Sequence, residues 1–396
     1  MQTAQLNTKD KENKILLFTL TLGVFAIISS SLGIMGLVPI IALKFSISST
    51  KAAHIVSYFA FVVMLFAPLT PLICEKIKPK PLMLLILSLF CISAFGSIFA
   101  SSFEILLFFR LLPAFLHPVY IALALSLAAH SSKDKKQSAR AISFVFMGMS
   151  MGMVLGVSIA TFLGSHFSFE WAMGFFFALN LLCFCTTFFF VKPLSLAQSS
   201  SFKAQSSILS KPLLWISVLA VFVCVAAIYG FYSFLSDFLH NSAGFDFGFI
   251  SLALFVYGLF SVLGNFLAGK VLSYEKMTSF ALAFLMIGLY FLLFLGEKHS
   301  ALMIFILALL GVLSGMANNL TQFLISSPFE KAKELTNGLF VSFSNLGISF
   351  GVFVCGLFIE YFSLDLLVFV PMILLGFFCV ILFVRIFIQK SMNLPL

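Results

Sequence analysis

Two ionisable side chains fall inside an apolar run that is long enough to cross a bilayer. The run is Ile105 to Ala129, and it holds Arg110 and His117, seven residues apart. On a continuous helix that spacing is two turns, so both side chains would share one face with Ala114 and Pro118 beside them. An arginine at the centre of a membrane helix costs about 2.5–3.5 kcal/mol, and somewhat less nearer the end. Such a charge either lines a polar cavity within a bundle or snorkels to the interface, with the histidine held by a neighbouring carbonyl. Tyr120 follows on the same segment. Other polar groups recur at similar depth: Ser29-Ser30-Ser31, Tyr229 and Tyr232, and Asn318-Asn319 with Gln322. Uncharged donors and acceptors among aromatics suit a neutral or amphiphilic small molecule; ordinary interhelical hydrogen bonding needs the same residues. His117 is the one histidine deep in an apolar run, and a reference pKa of about 6.5 fits it for proton exchange near neutral pH. Asp237 is the nearest acidic alternative. Gly148-Met149-Ser150-Met151-Gly152 matches the G-x-S-x-G nucleophile pattern, which needs a strand before it and an Asp and His to complete it. With His117 alone it would make an intramembrane serine hydrolase, a remote alternative. Cys183-x-Cys185 lacks metal-ligand spacing, so neither a metal nor a cofactor is expected.

These residues need membrane-spanning helices to position them. The chain has 396 residues, 61% hydrophobic and 9% charged, with mean hydropathy +1.15. That composition belongs to an integral membrane protein. The net charge of +9 is scattered over short loops and does not indicate nucleic acid. Apolar runs predict twelve spans, at about 15–39, 52–73, 82–100, 105–129, 141–164, 171–191, 213–236, 248–269, 278–296, 300–326, 336–358 and 366–388. The polar stretch 192–211 separates residues 1–191 from 212–396, giving two six-helix bundles joined by a cytoplasmic linker. The fold class is therefore all-α, with twelve transmembrane helices as two repeats.

Loop charge sets the orientation. Segments on the N-terminal side carry 19 basic residues, Arg385 counted among them, against Lys44, Lys51 and Lys298 opposite. That bias puts both termini in the cytoplasm of a multi-pass protein. The halves also match at a constant offset of 195 residues: Phe167-Ser168-Phe169-Glu170 on Phe362-Ser363-Leu364-Asp365, and Gly152 and Gly156 on Gly347 and Gly351. With six spans each, the repeats share one orientation, the arrangement of two-domain rocking transporters. Gly148, Gly152 and Gly156 form one stripe of span 5, where another helix can approach closely.

The chain resembles the major facilitator superfamily over nearly its whole length, and more narrowly its drug:proton antiporter-1 branch of sugar-efflux, arabinose-export-like and purine-efflux proteins. Arg110-Leu-Leu-Pro-Ala-Phe-Leu-His117 is similar to that group's fourth-span signature. Met153-Val-Leu-Gly156-Val-Ser158 with Gly148 and Gly152 is similar to its fifth-span exporter motif. Ser233-Phe-Leu-Ser-Asp237-Phe238, Leu254-Phe-Val-Tyr-Gly258 with Gly264, and Asn345-Leu-Gly347 with Gly351 resemble its seventh, eighth and eleventh spans. Three positions depart from the pattern: Ser31 stands where many relatives carry an acid, and Ser158 replaces the usual proline. The loop Glu75-Lys76-Ile77-Lys78-Pro79-Lys80 keeps the basic character of the gating loop without its glycine and aspartate.

The resemblance implies a bacterial inner-membrane exporter of a small organic solute, working by alternating access and coupled to protons, with no cofactor and as a monomer. An uncoupled facilitator or importer is the alternative, favoured by Ser31. By resemblance, spans 1, 4, 7 and 10 line the central cavity. The expected substrate-facing residues are then Ser31, Arg110, His117, Tyr120, Tyr229, Tyr232, Asn318 and Gln322, with His117 or Asp237 carrying protons. Gly148, Gly152, Gly156, Gly347 and Gly351 would pack and gate, and Lys76, Lys78 and Lys80 would form the cytoplasmic gating loop.

Overall fold

A bilayer core offers no water to backbone amides, so a chain this apolar satisfies them within helices. The computed structural model describes residues 2–69, 77–131, 135–191, 206–271, 275–296 and 300–391. Eleven helices among them are long and apolar enough to cross a membrane: Asn13–Phe45, Ser49–Leu69, Pro79–Ile98, Arg140–His166, Phe169–Phe190, Pro212–Ser242, Phe247–Ala268, Met277–Leu295, Ser300–Phe329, Leu335–Tyr361 and Asp365–Lys390. A twelfth segment is built from two shorter helices, Phe103–Leu111 and His117–His130. Numbered in chain order, with the two-part segment as span 4, these are spans 1 to 12, at the positions the apolar runs predict.

Local chemistry sets the starts. Ser48 Oγ accepts from the Lys51 amide at 3.1 Å, Ser102 Oγ from Ile105 at 3.3 Å, and the Asp246 carboxylate from Phe249 at 2.6 Å. Each side chain takes up a donor that has no partner within its own helix. Pro79 and Pro212 begin spans 3 and 7, where the missing N–H removes no helical bond. Span 1 tightens into a 3-10 turn at Gly33–Leu37, and span 5 opens into a π turn at Gly152–Gly156.

The described residues pack as two units, Met1–Ile34 with Leu69–Ser199, and Met35–Pro68 with Ser200–Leu396. By packing, residues 35–68 group with residues 200–396. The reason is that span 2 lies along span 11. Ser57 Oγ lies 3.0 Å from the Ser349 carbonyl and 3.1 Å from its hydroxyl, and Ser342 Oγ donates to the Met64 carbonyl at 2.9 Å. Within the first unit, a Cβ on Gly148 would collide with the Thr21 carbonyl, and one on Gly156 would stand 2.5 Å from Ser29 Cα. Spans 1 and 5 therefore touch backbone to backbone. In the second unit Gly347 and Gly351 do the same against Phe222 and Ala226 of span 7. A third glycine contact joins spans 8 and 10, with Gly264 against Val312, Gly311 against Tyr257 and Gly315 against Ser261, and it has no counterpart in the 195-residue repeat.

Candidate functional site

Span 4 breaks where the sequence predicts a continuous helix. Residues 112–116 form turns, with Leu112, Ala114 and Leu116 each donating to the carbonyl three residues back. Pro113 and Pro118 explain the break, since each removes an i to i−4 donor. Arg110 closes the first helix and His117 opens the second, so the shared face argued from seven-residue spacing is corrected. The two side chains have different neighbours. Arg110 is 2% exposed; its Nη2 donates to the Ser30 carbonyl of span 1 at 2.6 Å, and its guanidinium lies 6.0 Å from the Phe176 ring centre of span 6. His117 sets its ring 6.3 Å from that of Phe90 in span 3.

Around Arg110 the first unit builds a polar knot that joins three spans. Asn180 of span 6 donates to Ser30 Oγ at 2.7 Å and to the Phe176 carbonyl at 2.8 Å. Ser30 thus receives the arginine on its carbonyl and the amide on its hydroxyl. Gly33 lets Phe176 close over span 1, since a Cβ there would stand 2.7 Å from the ring. Ser31 is buried and returns its hydroxyl to the Ile27 carbonyl of its own helix at 2.7 Å. Tyr120 is wholly buried in the core of this unit, with its hydroxyl against Gly23. There it packs against the residues of spans 1 and 3 in that core.

The second unit gathers the uncharged groups. Asn318 Nδ2 of span 10 donates to the Tyr229 hydroxyl of span 7 at 3.1 Å. The Tyr229 and Tyr232 rings are 6.5 Å apart, and Tyr232 lies 4.8 Å from Tyr257 of span 8. The Tyr257 and Ser314 hydroxyls are 2.5 Å apart. Gln322 is half-buried one turn beyond Asn318 on the same face. The neighbouring Asn319 serves packing: it donates to Asn265 Oδ1 at 2.8 Å and to the Gly315 carbonyl at 3.2 Å. Tyrosine rings supply flat apolar faces, and their hydroxyls with the amides supply directed hydrogen bonds, a chemistry suited to a solute without fixed charge.

Asp237 ends the regular part of span 7 and is buried, accepting from Asn241 Nδ2 at 2.6 Å across the π turn Phe238–Ser242. Ser49 and His240 face the same carboxylate. Ser150 stands in an unbroken helix between two glycines packed on span 1, with no strand before it, so the G-x-S-x-G pattern here is helix packing. Lys76 lies outside the described residues. Lys78 is exposed before span 3, and Lys80 donates to the Phe188 carbonyl at the end of span 6 at 2.7 Å. Sequence reasoning missed Asn180, Tyr257 and Ser314, although Asn180 stands out in Phe175-Phe-Phe-Ala-Leu-Asn180-Leu-Leu. It also counted Arg385 as a loop charge, whereas Arg385 is 1% exposed inside span 12.

Comparison with known proteins bears on what such a pair of units does. The family model described as the Major Facilitator Superfamily matches residues 20–333 and, again, 244–393. The MFS-type transporter YtbD of Bacillus subtilis (strain 168), itself uncharacterized, is 28% identical over 362 residues, covering 89% of this chain and 90% of that one. AraJ of Escherichia coli (strain K12) is 24% identical over 284 residues, 70% of this chain and 72% of its own. Among solved structures, a bacterial homolog of the human lysosomal transporter Spinster, inward-facing and unoccupied, superposes with a TM-score of 0.75. It is 16% identical and covers 96% of this chain and 98% of its own.

Proposed function

The chain belongs to the major facilitator superfamily, and from that premise we propose that it exports a small, uncharged or amphiphilic organic solute by alternating access. It is a membrane transporter and not an enzyme. In the proposal it sits in a bacterial inner membrane as a monomer with both termini in the cytoplasm, and it exchanges substrate for protons. The two halves that rock are taken in chain order, residues 1–191 and 212–396, as the six-helix repeats related by the 195-residue offset. The observation that carries the substrate class is the second unit's cluster of Tyr229, Tyr232, Tyr257, Ser314 and Asn318, aromatic and hydrogen-bonding but without charge. The loop-charge bias supports the orientation, and the resemblance of the stretches Arg110–His117 and Gly148–Ser158 to the exporter motifs supports the direction. His117 or Asp237 carries the proton.

The test is efflux in everted membrane vesicles with a panel of sugars, nucleosides and neutral amphiphiles, run with and without a proton gradient. Uptake of at least one neutral compound that collapses with the gradient is the expected result. Transport confined to charged compounds refutes the substrate class. Gradient-independent transport selects an uncoupled facilitator, the second reading. That reading is favoured by span 1, where Ser31 occupies the position of an acid and its hydroxyl bonds its own helix.

A further inference from the structure

Arg385 is buried in span 12 and binds three groups on three spans. Its Nε donates to Ser217 Oγ of span 7 at 3.0 Å, its Nη1 to Gln389 Oε1 at 3.3 Å, and its Nη2 to the Leu324 carbonyl of span 10 at 3.0 Å. The last of these has a specific cause in the sequence. In an α-helix the Leu324 carbonyl takes the amide four residues on, and residue 328 is proline, which has no N–H. Two residues after Leu324 the α-helix ends, and the chain continues as the 3-10 turn Ser327–Ala332, with Phe329 at φ −129° and ψ 50°. Arg385 thus gives the carbonyl a donor that the proline withholds, and its cation lies at the negative end of a helix. Arg110 in the other unit also donates to a main-chain carbonyl, that of Ser30, but residue 34 is Ile and withholds no amide there. We propose that Arg385 is a positioning residue for transport. It pins the break in span 10 to spans 7 and 12, and so holds Gln322 and Asn318, about one and two turns before the helix end at Ser326, in register with Tyr229. The consequence for Asn318 and Gln322 rests on the substrate site proposed above; the pin itself does not.

The two can be tested apart. In purified protein, Arg385→Gln removes the charge and the fork, and amide hydrogen exchange across residues 317–332 is expected to accelerate about tenfold, with the span 1 break at 29–37 unchanged. Adding Pro328→Ala restores an N–H to the Leu324 carbonyl, and exchange should return to within about threefold of the unaltered protein. Should Arg385→Gln fail to insert, Arg385→Lys carries the test with a smaller acceleration of about threefold, again reversed by Pro328→Ala. No acceleration, or acceleration that Pro328→Ala leaves in place, overturns the pin. For the transported compound, the apparent KM should rise at least about threefold in either arginine variant while the maximal rate stays within about twofold. Altered exchange with an unchanged KM overturns the positioning role. If the unaltered protein exports nothing from the panel, the proposed function falls and the exchange arm still decides the pin.

Discussion

Gly156→Ala adds one methyl group where spans 1 and 5 touch, and the geometry fixes what must move. An ideal Cβ at residue 156 stands 2.5 Å from Ser29 Cα, Cβ and Oγ alike, against about 3.4 Å for an ordinary contact. One neighbour is backbone, so no rotamer change clears it, and the helices must part locally by about 0.9 Å. Overpacking of this kind destabilises by about 1–3 kcal/mol. Ser29→Gly removes two of the three clashing atoms but leaves the Cα, so it should rescue only in part. Gly174 of span 6 is the control, because nothing stands within 4 Å of a Cβ there. Gly174→Ala should be neutral or stabilise by up to about 1 kcal/mol, the helix-propensity gain. The assay is thermal unfolding in detergent beside transport in vesicles. Gly156→Ala is expected to lower the unfolding midpoint and slow transport, with Gly174→Ala doing neither. A Gly156→Ala protein that unfolds and transports like the unaltered one refutes the close-packing argument at that position.

Three further outcomes follow from the same geometry. Cysteines placed at Lys78 and Ser207, both exposed, should react with impermeant reagent only from the cytoplasmic side, and one at Ser300 only from outside; same-side labelling of Ser207 and Ser300 would break the topology. Arg110→Lys should retain under about a tenth of transport, since an ammonium lacks the planar fork that reaches the Ser30 carbonyl while lying over Phe176; full activity would show that charge alone suffices. His117→Gln keeps polarity but takes no proton, so it should lose gradient-driven export and keep substrate exchange. Intact coupling in that variant moves the proton to Asp237.

The number and placement of spans were legible because burial in lipid demands unbroken apolar runs, and hydropathy reads those directly. Glycine spacing was legible for the same kind of reason, since a missing side chain on one stripe has few other uses. Gly148, Gly152 and Gly156 meet span 1, and Gly347 and Gly351 meet span 7. What periodicity does not carry is where a helix stops being regular. The face shared by Arg110 and His117 assumed 3.6 residues per turn through Pro113, and the turns at 112–116 remove that register. The grouping of residues 35–68 with the C-terminal half was equally hidden, because it depends on hydrogen bonds from Ser57 and Ser342 to groups nearly three hundred residues away.

The burial of Arg385 was missed for a physical reason. A cation in an apolar segment is ordinarily explained by a ligand, a counter-ion or the interface. Arg385 answers a different need, because it donates to the Leu324 carbonyl two residues before the α-helix ends. A break in a membrane leaves acceptors that water cannot satisfy, and a guanidinium offers several donors and a charge suited to a helix C-terminus. The signal was present in the sequence as Pro328 four residues after Leu324, but it names only the acceptor left over, not the side chain that fills it. In the proposed function, the residues assigned to recognition in the second unit are tyrosines, a serine and amides, with Arg385 holding spans. That division of labour fits a solute recognised by ring faces and hydrogen bonds, with fixed charge kept for the scaffold.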